Sequence, residues 1–358
     1  MPSLKEIKGR INSISSTLAI TSAMKMVAAA KLQKAQMAIQ NMLPYERRLH
    51  SMLIDLMGAM NISAAASEDG SVRGSGSAER GFDQSGDRLS LSNQHDLAGM
   101  DGAYSLMAQR EVRKVAIVAF ASNSSLCGAF NSNVIREATA VINEYRASGL
   151  GDADITVYSV GRKMAEAMKK LGFPSPADFT KMSDSPSYDA ASALAQELLD
   201  GFVSGRFDKV ELVYNHYKST SSQPTIRQTY LPLSLADATA DLQAGKIADS
   251  ASESDTNRGA EPVGAPVVRQ GSPTTEDLIV EPSKEELIAT LLPKVVRLRV
   301  FTTLLDSTAA EQAARTVAMQ LATDNGNDLL QELTLEYNKG RQQKITSEIL
   351  DLVGGSMQ

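Results

Sequence analysis

Residues 3–36 read SLKEIKGRINSISSTLAITSAMKMVAAAKLQKAQ, and this stretch decides the architecture. Stepping alternately by four and three from Ile7 gives Ile11, Ile14, Leu18, Thr21, Lys25, Ala28, Leu32 and Ala35. The same steps continue through Ile39, Met42, Glu46, Leu49, Leu53 and Leu56 to Met60, and only Thr21, Lys25 and Glu46 interrupt the apolar seam. Such steps average about 3.5 residues, the coiled-coil repeat, over about eight heptads. At ~1.5 Å per residue the predicted helix is roughly 85 Å long, beyond what a globular domain holds. Pro44 predicts a kink or a short interruption. A helix of this length needs a partner.

The partner is at the other end of the chain. Residues 283–353 again read helical, opening on a capping box with Ser283 as N-cap and Glu286 three positions on. Leu287, Leu291, Leu298 and Leu305, then Ile345, Ile349 and Leu352, supply apolar positions; Pro293 should bend the first turns, and Gly354-Gly355 ends the helix. Ser307 to Gly326 is rich in Ala, Thr and other small residues, which lets two helices approach closely. A compact middle must return the chain to its start, so the two helices are expected to run antiparallel.

The middle reads α/β. Strands are expected at 112–121 (VRKVAIVAFA), 155–160, 210–217 and 225–233, with helices at 131–146, 162–171 and 188–203. Their alternation favours a largely parallel, Rossmann-like sheet with covered faces, the last two strands adding antiparallel pairing through a Ser/Thr-rich link. Residues 63–108 and about 237–275 are rich in Gly, Ser, Asp and Pro and read as inserted surface loops. The expected fold class is therefore α/β with a long antiparallel coiled coil formed by the terminal helices. Its parts are an N-terminal helix (1–60), a loop (61–110), a globular α/β domain (111–236), a second loop (237–276) and a segment ending in the C-terminal helix (277–358).

Composition limits the chemistry. Aromatics are 5% of the 358 residues and Trp is absent, so few ring anchors exist for a thick core and thin helical packing of Ala, Leu, Ile and Met must serve. A net charge of −6 argues against a nucleic-acid binder. The single Cys127 permits no internal disulfide and fits a reducing compartment. Without 18 consecutive apolar residues no membrane span is expected, and helical periodicity from Ser3 leaves no room for a leader peptide. Neither a phosphate-cradling P-loop nor a G-x-G-x-x-G turn is present, so no cofactor is expected. His50, His95 and His216 are scattered and make no metal set; Cys127 reads as a small buried thiol without a neighbouring base.

Two features point instead to a partner. The first helix carries Lys5, Lys8, Arg10, Lys25, Lys31, Lys34, Arg47 and Arg48 against Glu6, Glu46 and Asp55, a basic face suited to an acidic surface. The C-terminal segments EQAARTVAMQLATDNGND (311–328) and LTLEYNKGRQQKITSEILDLVG (333–354) place amides, hydroxyls and arginine mid-helix, where apolar residues would serve a bland coiled coil better. Such groups suit directional hydrogen bonds to something outside the rod.

These stretches, with the opening 3–36, SNSSLCGAFNSNV (122–134) and YNHYKSTSSQPTIRQTYLPL (214–233), closely resemble the gamma subunits of F-type ATP synthases. The likeness covers both helices and most of the middle; Asn123-Ser124-Ser125 stands where the family usually has Asp-Arg-Gly. It implies a non-catalytic central stalk that turns inside a hexamer of alpha and beta subunits. Its globular foot would sit with an epsilon subunit on a membrane ring of c subunits. It also implies peripheral attachment to the cytoplasmic face of a bacterial inner membrane, and coupling of ion flow to ATP synthesis and hydrolysis. On family positions, Arg315, Arg341, Gln342 and Thr346 would form a catch for a beta-subunit loop, Met24 and Lys25 would face a beta lever loop, and Glu281 would approach the c ring. Leu278 and Val280 stand where tyrosines are common, and the cysteine pair of chloroplast relatives is absent. The alternatives are a coiled-coil adaptor with no affinity for such a hexamer, and a nucleotide-binding enzyme, which would need a phosphate loop.

Overall fold

The computed structural model describes residues 3–59, 106, 109–233 and 284–355. In chain order the elements are α1 (Leu4–Ala59), β1 (Val115–Phe120), α2 (Phe130–Ala147), β2 (Ile155–Val160), α3 (Arg162–Lys170), α4 (Thr180–Asp184), α5 (Tyr188–Val203), β3 (Lys209–Asn215), β4 (Thr225–Leu231) and α6 (Lys284–Gly355). The short α4 is the element that periodicity alone did not pick out. Apart from Leu106, Gln109 and Arg110, the expected first loop lies outside the described residues, as do the second loop and the Ser283 cap. Leu106 is buried, and its carbonyl accepts the Leu233 N–H at 2.9 Å, so this end of the first loop belongs to the core of the globular part.

The strands form one sheet in the order β2-β1-β3-β4, with β1 parallel to β2 and β3, and β4 antiparallel to β3. A central strand buried on both faces gives a continuous apolar run rather than alternation, and VAIVAF is buried at all six positions. Val115, Ile117 and Ala119 meet Val134, Ala138, Val141 and Ile142 of α2 and Met164 and Met168 of α3. Ala116, Val118 and Phe120 face Leu194, Leu198 and Phe202 of α5. That second core also takes in Ile288, Leu292, Val295, Val296, Leu298, Val300 and Leu304 of α6 and Leu49 and Leu53 of α1. The lower shaft is therefore part of the foot.

Among the buried polar groups of the foot, Glu211 carries a carboxylate. Glu211 on β3 receives the Arg227 guanidinium at 2.7 Å, Lys209 Nζ at 2.7 Å and the Tyr145 hydroxyl at 2.7 Å. Burial alone would raise this carboxyl, but the hydrogen bonds from Arg227, Lys209 and Tyr145 outweigh it and hold it below the ordinary carboxylate range. The ion cluster ties β3 to β4 and α2.

Above the foot the two long helices lie side by side in opposite directions. Glu46 accepts from the Thr302 hydroxyl, Leu32 and Ala35 pack with Ala309 and Ala313, the Thr21 and Thr323 hydroxyls meet at 3.3 Å, and Leu18 abuts Gly326. Last, Leu4 abuts Gly340. The buried and half-buried positions of α1 include Ile7, Ile11, Ile14, Leu18, Thr21, Lys25, Ala28, Leu32 and Ala35, the seam read from the sequence. On α6 the matching half-buried stripe is Thr323, Gly326, Leu330, Leu333, Tyr337 and Gly340, again spaced by three and four.

At the prolines there is no interruption: α1 runs on through Pro44 and α6 through Pro293. Pro44 is exposed, so the carbonyl it leaves without a donor can turn to water. Ile345, Ile349 and Leu352 are not seam positions: they are 47%, 54% and 75% exposed. The reason is geometric, since α1 begins at Leu4 opposite Gly340 and, among the described residues, no helix lies beside α6 beyond it.

At Gly161, between β2 and α3, φ is +94° and an added Cβ would lie 2.1 Å from the Ala121 carbonyl oxygen. Gly161→Ala must strain both the backbone and that contact, and should destabilise the foot by about 3 kcal/mol or more. Urea unfolding of the full chain, followed by circular dichroism, measures it; an unchanged midpoint would contradict the packing described.

Candidate functional site

The chain offers two places where its chemistry faces outward or joins its parts. The first is the tip. Every residue from Arg341 to Leu350 is exposed, as are Leu352 and Val353, because α6 continues there as a single helix. Arg341, Gln342 and Thr346 lie on this stretch within about one and a half turns of one another. The Thr346 hydroxyl donates to its own helix, to the Gln342 carbonyl at 2.9 Å. Around them Ile345, Ile349, Leu350 and Leu352 present apolar side chains, 47%, 54%, 64% and 75% exposed among the described residues. Lys344 and Glu348 pair at 3.8 Å, both well exposed, adding only slight helix support.

Arg315 does not join that group. It sits 26 positions before Arg341 on the same helix, about 39 Å away along the axis. Its side chain is 12% exposed and is engaged within the chain: Nη1 donates to Ser124 Oγ at 2.8 Å and Nη2 to Glu311 Oε1 at 2.6 Å. Its Nε is buried and makes no hydrogen bond. Met24 and Lys25 are half-buried on α1, one turn from Thr21 and its partner Thr323. They stand roughly 30 Å below the start of the bare tip. Glu281, Leu278 and Val280 lie outside the described residues.

The second place is the joint between foot and shaft, which sequence reasoning missed. Asp306 on α6 accepts the Tyr217 backbone N–H on Oδ1 at 2.8 Å and pairs through Oδ2 with His216 Nδ1 at 2.6 Å. That hydrogen bond raises the His216 imidazole above its ordinary value, against the opposing pull of burial. The Tyr217 hydroxyl accepts from Gln36 Nε2 on α1 at 2.6 Å. A signal was present in hindsight, since His216 and Tyr217 follow β3 directly. Their partners are 181 and about 90 residues distant, and single-sequence patterns do not carry such separations.

Cys127 is buried, and its neighbours are the Asn131 amide, the Ser124 carbonyl and the Ser122 hydroxyl, none of them a base for a thiolate. Among the described residues no group of three His, Cys, Asp or Glu could hold a metal ion, and no helix is long and apolar enough to cross a membrane.

Among the described residues the geometry is thus that of a shaft whose end is exposed. The chain matches the family described as ATP synthase over residues 3–357. It is 46% identical to the ATP synthase gamma chain of Phocaeicola vulgatus over the full length of both, and 38% identical to that of Parabacteroides distasonis over 99% of both. To the Flavobacterium psychrophilum gamma chain it is 35% identical, covering 99% of this chain and 98% of that one. Among solved structures it is similar in fold to a chain of the Euglena gracilis mitochondrial ATP synthase (OSCP/F1/c-ring, rotational state 3). The TM-score is 0.52 at 19% identity, over 99% of this chain and 93% of that one. The chain belongs to the ATP synthase gamma chain family.

Proposed function

We propose that this chain is the central rotor stalk of an F-type ATP synthase, carrying rotation between a membrane ring of c subunits and the catalytic sites of an alpha–beta hexamer. The foot, residues 111–236 with a Rossmann-like sheet, sits with an epsilon subunit on the ring. The terminal helices, supercoiled on each other, form the shaft, and the tip of α6 enters the hexamer. The complex holds the chain at the cytoplasmic face of a bacterial inner membrane. The stalk performs no bond chemistry. It acts by making different contacts with each beta subunit at each angle, the only way a partner can shift a conformational equilibrium.

The observation that carries this reading is the tip: a helix with a row of exposed apolar side chains, running past the point where Leu4 of α1 meets Gly340. Fully burying a side chain of this type is worth about 1.5–3 kcal/mol, so a protein sleeve around the tip would gain by enclosing it. Arg341, Gln342 and Thr346 on the same stretch supply the directional contacts that would catch a beta-subunit loop. Met24 and Lys25, with Lys31 and Lys34 beyond them, present the basic face toward an acidic lever loop; Glu281 approaches the ring.

Arg315 belongs to the catch only if it gives up Ser124 and Glu311. Leaving would strand Glu311, whose carboxyl burial already pushes up to about 7, with Arg315 pulling it down, Asp184 raising it and Lys31 lowering it. A carboxyl raised in the folded state favours folding while protonated. Its contribution is complete below 4.5 and is lost as pH rises to about 7.

Three outcomes are expected. An affinity-tagged chain expressed in its native cell should co-purify with alpha, beta and epsilon subunits, and recovery of the chain alone would end the rotor reading. Replacing Arg341 and Gln342 together with Ala should lower ATP turnover of the assembled enzyme by about tenfold while the melting temperature of the free chain stays unchanged. Unaltered turnover would remove these residues from the mechanism. Glu311→Gln should melt with wild type at pH 4 and roughly 3 °C above it at pH 8. A difference that is equal at both pH values would contradict the burial argument.

A further inference from the structure

In open parallel sheets, ligands bind outside the carboxyl ends of strands whose connections leave in opposite directions. Here β1 connects through α2 to β2 on one side, and the chain then crosses to β3 on the other, so that crevice opens at the ends of β1 and β3. The chain fills it with its own shaft. From the end of β3, His216 and Tyr217 reach Asp306 on α6, and Tyr217 also reaches Gln36 on α1. From the end of β1, Ser124 holds Arg315.

Tyr217 is the central piece. Its ring packs against the cluster of Leu32, Ala35, Ala309 and Ala313 from the two shaft helices, and against the cluster of Cys127, Phe130 and Ala310 from foot and shaft. Its backbone N–H and its hydroxyl are bonded to different helices, at 2.8 and 2.6 Å. The strand end that carries it is itself fixed: the Asn215 amide donates to the Phe130 carbonyl at 3.0 Å, and the Thr225 hydroxyl donates to Asn215 at 2.6 Å. Below this level the foot also grips the shaft, through the apolar core that takes in Leu304, through the Tyr230 hydroxyl donating to the Val296 carbonyl at 3.0 Å, and through Arg297 donating to Gln196. Apolar burial is non-directional and holds surfaces together, whereas charge-assisted hydrogen bonds also fix their angle.

We propose that Tyr217, wedged between the shaft helices and tied to Asp306 and Gln36, is a torsional key that fixes the angular position of the foot on the shaft. Torque then passes between ring and tip without slip. The proposal rests on the rotor reading above. Asp306 and Gln36 are positioning residues, since they act through Tyr217.

The test uses the assembled enzyme in inverted membrane vesicles, with ATP hydrolysis and the membrane potential built by hydrolysis measured together, the potential by a voltage-sensitive dye. Asp306→Ala should keep hydrolysis within about twofold while the potential per ATP hydrolysed falls by about threefold or more. Asp306→Asn, which still accepts the Tyr217 N–H, should restore most of it. Tyr217→Phe, which keeps the ring and loses the Gln36 bond, should show an intermediate loss and carries the test if Asp306→Ala fails to assemble. An unchanged potential per ATP in Tyr217→Phe and Asp306→Ala overturns the key. So does a fall of hydrolysis, potential and assembled stalk by one common factor, which marks a purely structural role. A wild-type chain that does not co-purify with alpha and beta subunits removes the rotor reading and the key with it.

Discussion

The molecule depends on one seam, the apolar edge along which the first and last helices meet. Neither helix could stand alone in water: each presents a stripe of Ile, Leu and Ala whose burial is possible only against the other. Small residues set the spacing. Ala28, Ala35, Ala309 and Ala313 are buried with little volume, and Gly326 and Gly340 receive Leu18 and Leu4. A bulkier seam would stabilise as well but would make a thicker rod. The choice of Ala and Gly at the contact therefore trades burial for slenderness, which suits the rotor role proposed above.

The foot solves a different problem, that of holding an angle. Its sheet is covered on one face by α2 and α3, while the other face packs on α5 and on the lower turns of α6. Since α6 belongs to this core and then leaves as the shaft, foot and shaft share a single uninterrupted helix of 72 residues. Polar groups appear at the places where apolar packing cannot define orientation: Glu211 with Arg227, Lys209 and Tyr145 between strands and α2, and Asp306 with His216 and Tyr217 where the strand ends meet the shaft.

Local periodicity made most of the fold legible. The seam of α1 followed from steps of four and three, and VAIVAF announced a strand buried on both sides. What periodicity cannot reveal is where a partner stops. Ile345, Ile349 and Leu352 continue the apolar rhythm of α6, yet Leu4 opposite Gly340 is the first helical residue of α1, so they project bare. Arg341, Gln342 and Thr346 were named, with Arg315, from the family resemblance, and all three lie exposed on the last turns of α6. Arg315 looked similar in sequence and is instead engaged by Ser124 and Glu311. The Tyr217–Asp306 joint escaped because a residue of ordinary composition acquires its role from a neighbour many residues away.

The seam also sets the order of events during synthesis. Leu4 waits for Gly340, so α1 emerges from the ribosome with its apolar edge uncovered while some 280 further residues are made, roughly 15–60 s at ordinary rates of elongation. For that interval the nascent chain is a long amphipathic ribbon with no mate. Its exposed edge is a ready substrate for chaperones, or for a second nascent chain of the same kind, until its own far end arrives to displace them.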